Sequence, residues 1–173
     1  LKQDGATKFT DVTAQTKLPA SILDGNFIGG WSADIDMDGD LDIAIGAEHG
    51  VPLVLQNNGD GSFAEIHPFP NGSGLRDFVW ADLDGDGDPD AALKDEQFKL
   101  RVFANERNGQ FDERPVTTKA GQTFLSICAA DVSGDANVDL IALQDDGAVI
   151  RLSDKNDGAD WEFAEIAKLR SST

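Results

Sequence analysis

Residues 82–90 read Asp-Leu-Asp-Gly-Asp-Gly-Asp-Pro-Asp, the most unusual stretch of the chain. Five carboxylates on alternate positions repel one another unless a cation lies among them. A hard divalent cation removes the repulsion, because Ca²⁺ takes six to eight oxygen ligands at roughly 2.3–2.6 Å. Gly85 and Gly87 allow the backbone bends that bring alternate side chains towards one point. The stretch therefore predicts a calcium-binding loop.

The same pattern occurs three times along the chain. Residues 34–42 are called loop 1, residues 82–90 loop 2 and residues 131–139 loop 3, and their starts lie 48 and 49 residues apart. A repeat period of about 20–50 residues is typical of solenoids, propellers and arrays. The polar residues on alternate loop positions are Asp34, Asp36, Asp38, Asp40 and Asp42; Asp82, Asp84, Asp86, Asp88 and Asp90; and Asp131, Ser133, Asp135, Asn137 and Asp139.

Four strand-like segments surround each loop. An apolar segment ends in Ala just before the loop, two further strands follow the loop, and a Gly-containing turn leads to a strand that begins near a Phe. Four antiparallel strands in a unit of about 40–50 residues are typical of a propeller blade. In order within a repeat, the predicted strands are 27–33, 75–81 and 124–130; 41–46, 91–94 and 138–143; 51–56, 100–105 and 148–153; and 62–66, 110–113 and 162–166.

The predicted fold class is therefore all-β: a β-propeller region, 1–173, with three four-stranded antiparallel blades. One extra strand is predicted at the amino end, within residues 7–13, as the outer strand of another blade. The expected repeat bounds are approximately 1–20 for this partial unit and 21–70, 71–118 and 119–170 for the three complete units.

The loop pattern Asp-x-Asp-x-Asp-Gly-x-x-Asp, after a small residue and before a hydrophobic strand, resembles the FG-GAP/VCBS repeats. The stretches 9–13, Phe-Thr-Asp-Val-Thr, and 55–63 are also similar to bacterial members of that family. The resemblance implies a calcium-binding propeller like those of integrin alpha chains and of bacterial surface or secreted proteins. It also implies side-chain ligands at loop positions 1, 3, 5 and 9 and a backbone carbonyl ligand at position 7. In loops 1 and 2 the implied side-chain ligands are Asp34, Asp36, Asp38 and Asp42, and Asp82, Asp84, Asp86 and Asp90; the carbonyls belong to Asp40 and Asp88.

Loop 3 departs from this pattern. Ser133 offers a neutral hydroxyl at position 3, and Ala136 replaces the glycine of position 6. Fewer ligand charges and a stiffer turn both lower the affinity for calcium. Two sites are therefore expected to bind Ca²⁺, and the third to bind weakly or to stay empty.

Alternative cation-binding motifs fit the acidic loops less well. An EF-hand needs a bidentate Glu at position 12, where this chain has Ile45, Leu93 and Ala142, and it needs flanking helices. Thrombospondin-type calcium repeats are rich in Cys, and Mg²⁺ prefers fewer carboxylates because it keeps its waters. Plain solvated acidic turns remain the alternative, mainly for loop 3.

The net charge of −18 limits the partners of the chain. Thirteen of the 32 acidic residues lie in the three loops, and the remaining acidity disfavours nucleic acid and anionic membranes. No run of eighteen apolar residues is present, so membrane insertion is not expected. Calcium loops of modest affinity suit millimolar calcium, which favours an extracellular, cell-surface or periplasmic location.

The remaining reactive residues do not form a catalytic pattern. His49 and His67 occupy different positions in the repeat, the chain has no Tyr, and no nucleophile-turn motif is present. Cys128 lies three residues before loop 3, where the other repeats have Trp31 and Val79, so it is expected in the core. We therefore expect a protein that is not an enzyme.

Three hypotheses for function remain open. The first is a calcium-stabilised module for extracellular adhesion or recognition of a protein or glycan; the second is part of a secreted polysaccharide lyase or hydrolase; the third is a pure repeat scaffold. Three blades leave two apolar blade faces, since propellers usually close with four to eight blades. The chain is therefore expected to be part of a longer propeller, to form a homodimer that completes a ring, or to form an open arc.

Overall fold

Three four-stranded antiparallel sheets make up most of the chain in the computed structural model, which describes residues 1–107, 109–117, 121–155 and 160–169. Each sheet is a meander in which neighbouring strands are consecutive in sequence. Blade 1 contains β3 (Gly29–Ala33), β4 (Asp42–Gly46), β5 (Leu53–Asn57) and β6 (Phe63–Ile66). Blade 2 contains β7 (Asp77–Ala81), β8 (Asp90–Lys94), β9 (Leu100–Asn105) and β10 (Phe111–Arg114). Blade 3 contains β11 (Phe124–Ala130), β12 (Asp139–Gln144), β13 (Ala148–Lys155) and β14 (Asp160–Lys168).

These sheets confirm the prediction of an all-β partial propeller with three four-stranded blades. The strands form because alternating apolar residues are separated by turns with left-handed glycines, such as Gly59, Gly61 and Gly147. Among the described residues no helix is long and apolar enough to cross a lipid bilayer.

The amino-terminal segment differs from the predicted strand over residues 7–13. Only β2 (Phe9–Thr10) is extended; it pairs with β1 (Lys2–Gln3) in a two-stranded sheet, and no pairing with a blade is seen for the described residues. Asp11 ends the strand, because its Oδ1 accepts hydrogen bonds from the backbone N–H of Thr13 at 2.9 Å and from its hydroxyl at 2.6 Å. A 3₁₀ turn (Thr13–Thr16) and one turn of helix, α1 (Ala20–Leu23), then lead to blade 1.

Two apolar clusters join the blades. One lies between blades 1 and 2 and is centred on Phe69, which is fully buried and contacts the rings of Phe78, Phe103 and Phe111 at centroid distances of 5.1–6.1 Å. The other lies between blades 2 and 3 and includes Phe124 and Leu152, both fully buried. Blade 2 is covered on both faces, and every residue of β8 is therefore buried.

A polar bridge also joins blades 2 and 3. Asp77 Oδ2 accepts hydrogen bonds from Ser126 Oγ and from the backbone N–H of Ile127, each at 3.0 Å. The ammonium of Lys94 lies 3.8 Å from the same carboxylate oxygen and donates to the carbonyl of Leu125. The Lys94 side chain is 9% exposed, so this charge depends on its partners rather than on water.

Two sequence expectations for blade 3 are wrong. Strand pairing places Trp161, not Phe163, in the position of Phe63 and Phe111; Trp161 is 8% exposed and Phe163 is 39% exposed. Cys128 does occupy the position of Trp31 and Val79, but its side chain is exposed. In blades 1 and 2 this position faces the following blade, whereas the described residues include no blade after blade 3, and Cys128 is exposed.

Candidate metal centres

The three loops occupy one structural position in each blade. Each connects the first strand to the second, and the antiparallel pairing holds its two ends together, as in the pairs Ala33–Asp42, Ala81–Asp90 and Ala130–Asp139. The backbone at loop position 6 is left-handed in all three, with φ of 95° at Gly39, 94° at Gly87 and 73° at Ala136. A side chain is disfavoured in this conformation, so Ala136 adds strain that the glycines of loops 1 and 2 avoid.

Loop 1 brings carboxylates together. Oxygens of Asp34, Asp36 and Asp42 all lie within 4.8 Å of one another. The backbone holds Asp34 in place, because its carboxylate accepts the N–H groups of Asp38 at 3.1 Å and Gly39 at 3.0 Å. Gln56 on β5 donates to Asp36 and so fixes a second member of the group.

Loop 2 repeats this arrangement with a different set. Oxygens of Asp82, Asp84 and Asp86 lie within 4.8 Å of one another. Asp82 accepts the N–H groups of Gly85 at 2.8 Å and Gly87 at 3.2 Å, which corresponds to the contacts of Asp34 in loop 1. Burial, together with the charge of Asp86, raises the pKa of Asp84 above its ordinary value.

The aspartate at position 9 is the buried end of each loop. Asp42, Asp90 and Asp139 are 0%, 1% and 1% exposed, and each accepts at least two hydrogen bonds. Burial raises the pKa of Asp42, and it raises the pKa of Asp90 to about 6, although backbone N–H donors oppose the shift in both. A bound cation would compensate this unfavourable burial of negative charge.

The remaining predicted ligands of loops 1 and 2 lie beside these groups. Asp38 accepts the N–H of Asp40 at 2.9 Å, and the carboxylates of Asp38 and Asp90 lie outside the three-member groups. The carboxylate of Asp88 binds Arg107, which leaves its backbone carbonyl as the expected ligand of position 7. The donor sets of loops 1 and 2 therefore fit Ca²⁺, which prefers carboxylate and carbonyl oxygens.

Loop 3 does not bring three acidic side chains together, in a segment that the structure describes throughout. Asp131 accepts the N–H groups of Gly134 at 2.7 Å and Ala136 at 3.0 Å, so the turn itself is preserved. Ser133 Oγ lies 3.5 Å from Asp131, and the side chains of Asp135 and Asn137 are exposed. The loop therefore keeps the backbone shape without the charged donor set.

Asp139 also has an environment of its own. Burial opposes its ionisation, but hydrogen bonds from Ser153 and from the N–H groups of Val132 and Ser133, with the charge of Arg151, outweigh burial and lower the pKa of Asp139. Its surroundings in the protein therefore stabilise the negative charge of Asp139, whereas burial destabilises the negative charges of Asp42 and Asp90.

Several residues that contact the loops were not predicted. Arg114, whose side chain is 8% exposed, lies 3.5 Å from Asp84, binds Asp154 and stacks on the ring of Trp161 at 4.6 Å. Together with Gln56, Arg107 and Arg151, it lies outside the loop motif. No local sequence signal marks these residues, because strand register brings them to the loops.

Comparison with known families agrees with the loop geometry. Residues 34–93, which include loops 1 and 2, match the family described as FG-GAP-like repeat. No curated protein matches the chain significantly.

Proposed function

From the match of residues 34–93 to the FG-GAP-like repeat, we propose that the chain is a calcium-binding β-propeller repeat module in which calcium is structural. The observation that supports calcium most strongly is the convergence of three carboxylates within 4.8 Å in each of loops 1 and 2. At these separations each carboxylate pair repels by on the order of 1–3 kcal/mol, depending on solvent screening. A divalent cation converts this repulsion into attraction and stabilises the loop.

A structural role follows from the position of the loops. Each joins the first two strands of a blade, so an ion bound there would hold the ends of those strands in register. The protein provides the oxygen ligands at positions 1, 3, 5, 7 and 9, whereas a catalytic metal keeps a position open for water or substrate. Calcium binding would therefore contribute to the free energy of folding.

The biological role proposed for the module is adhesion or recognition of a protein or glycan outside the cell. An affinity of about 10⁻⁵–10⁻³ M would allow the loops to fill at extracellular calcium concentrations. A binding role is favoured over catalysis because the histidines have separate partners: His49 pairs with Glu96 at 2.9 Å, and His67 contacts the Pro52 carbonyl at 2.9 Å.

The test is thermal unfolding in calcium and in excess EGTA. For a dissociation constant of about 10⁻⁴ M, 2 mM calcium stabilises each site by about 1.8 kcal/mol. Two sites should then raise the melting temperature by about 10 °C. Magnesium is the control, since it should give a much smaller rise. Equal melting temperatures in calcium and EGTA would refute a structural role for calcium.

A further inference from the structure

Loop 3 has the backbone shape of loops 1 and 2, but the positive charge near its buried aspartate belongs to a side chain, Arg151. Register places Arg151 of β13 opposite Ile141, in the position that Val54 and Val102 occupy opposite Ala44 and Ala92. Among the three blades, only blade 3 therefore has a cationic side chain at this position of the third strand, next to the second strand.

Arg151 lies close to the buried end of loop 3. Its Nε is 4.0 Å from Asp139 Oδ1, and the side chains are 20% and 2% exposed. This Nε is buried and has no hydrogen-bond partner. A guanidinium with a buried nitrogen needs nearby negative charge: Asp139 lies within ion-pair distance of Arg151, and Glu162 is also close enough to interact with its charge.

The oxygens of Asp139 already have partners. Oδ2 accepts the N–H groups of Val132 and Ser133, both at 3.0 Å, and Oδ1 accepts the hydroxyl of Ser153 at 2.6 Å. In loops 1 and 2 each oxygen of Asp42 and Asp90 accepts one backbone N–H. A calcium ion at loop 3 would face fewer carboxylates than one at loop 1 or loop 2, and Arg151 lies beside the one buried carboxylate of loop 3.

The oxygen ligands of loop 3 therefore do not suit Ca²⁺, whereas those of loops 1 and 2 do. We propose that loop 3 is a metal-free member of the series and that the Arg151 guanidinium takes the place of the ion. Arg151 acts as a positioning residue: with Ser153 it holds Asp139, and through Asp139 it holds the turn at Val132 and Ser133. The count of two ions rests on the function proposed for loops 1 and 2, whereas the role of Arg151 does not.

The first experiment compares melting temperatures in EGTA. Arg151→Val introduces the residue found in the other two blades, so it should fold, but it leaves Asp139 without its cation. Its melting temperature should be about 3–6 °C below that of the wild type in EGTA. Calcium should raise the melting temperatures of both proteins equally, so that the difference between them remains. Lys168→Met is the matched control, because it removes a positive charge from an exposed pair of the same blade, with Nζ 2.6 Å from Asp146. This control should change the melting temperature by less than about 1 °C.

The second experiment counts bound calcium by titration calorimetry. The wild-type chain should bind two ions, and the double variant Arg151→Val with Ser133→Asp should bind three, because it removes the cation and restores the carboxylate of position 3. Three ions bound by the wild type, or no loss of stability in Arg151→Val, would overturn the proposal. Absence of any calcium binding would instead refute the function proposed for loops 1 and 2, and the melting temperatures in EGTA would still decide the role of Arg151.

Discussion

Asp77→Ala is expected to weaken the contact between blades 2 and 3 more than any exposed charge substitution. The change removes the acceptor of two 3.0 Å hydrogen bonds, from Ser126 and Ile127. It also removes the carboxylate that lies 3.8 Å from the buried ammonium of Lys94. Hydrogen bonds to a charged group contribute about 1.5–3 kcal/mol each, and an ammonium left buried without its partner is itself costly. The free energy of unfolding should therefore fall by about 3–5 kcal/mol.

Urea denaturation of a double-mutant cycle measures this effect. Asp77→Ala, Lys94→Met and the double variant should show a coupling energy of at least about 1 kcal/mol, because the double variant leaves no buried ammonium unpaired. Lys168→Met is the control, since Lys168 and Asp146 form an exposed pair on the surface. A loss below about 1 kcal/mol for Asp77→Ala, or additive single effects, would refute the bridge as a determinant of blade packing.

Two further predictions concern the packing of the blades. Phe69→Ala should lower the free energy of unfolding by about 3–5 kcal/mol in urea denaturation, because the ring is fully buried between blades 1 and 2. Phe9→Ala, at a ring that is 57% exposed, is the control, and similar losses in both variants would contradict the assigned core. Light scattering in millimolar calcium is expected to give the mass of two chains. Cys128 and Val149 lie on a face of blade 3 that no other described blade covers, whereas the same face is covered in blades 1 and 2. A single-chain mass would contradict this pairing.

Sequence was sufficient to predict the blades because the local signals agree with one another. Alternating apolar residues, glycine turns and the repeat of the acidic loop all point to the same four-stranded unit. β9 and β11 have the predicted bounds, at Leu100–Asn105 and Phe124–Ala130. The other blade strands begin or end within a few residues of the predicted bounds, where hydrogen bonding to neighbouring strands sets the limits.

The details that sequence did not predict depend on the register between strands in blade 3 and on a local turn at the amino end. Trp161 takes the buried place expected for Phe163, because pairing with Asp154 fixes β14 two residues earlier than the Phe pattern suggested. The strand at Phe9 is short because Asp11 forms a local turn with Thr13. A shift of two residues leaves the alternation of apolar residues unchanged, so alternation alone does not distinguish the two registers of β14.

In the candidate metal centres, too, sequence predicts the local features but not the contacts that depend on strand pairing. The motif identifies the aspartates at alternate positions, since their spacing within one loop is local. Arg151 approaches Asp139 from the third strand of its blade, and Arg114 approaches Asp84 from the fourth strand of blade 2. Such contacts depend on strand pairing and blade packing, so the loop sequence alone does not indicate them.

Calcium binding at loops 1 and 2 is tested most directly by titrating the metal-free chain with calcium in a calorimeter. The predicted result is two ions per chain for the wild type and one ion for each of the variants Asp36→Asn and Asp84→Asn. Each variant removes one carboxylate from a three-member group and leaves the other loop intact. A wild-type chain that binds no calcium at millimolar concentration, or variants that both keep two ions, would contradict the assignment of loops 1 and 2 as calcium sites.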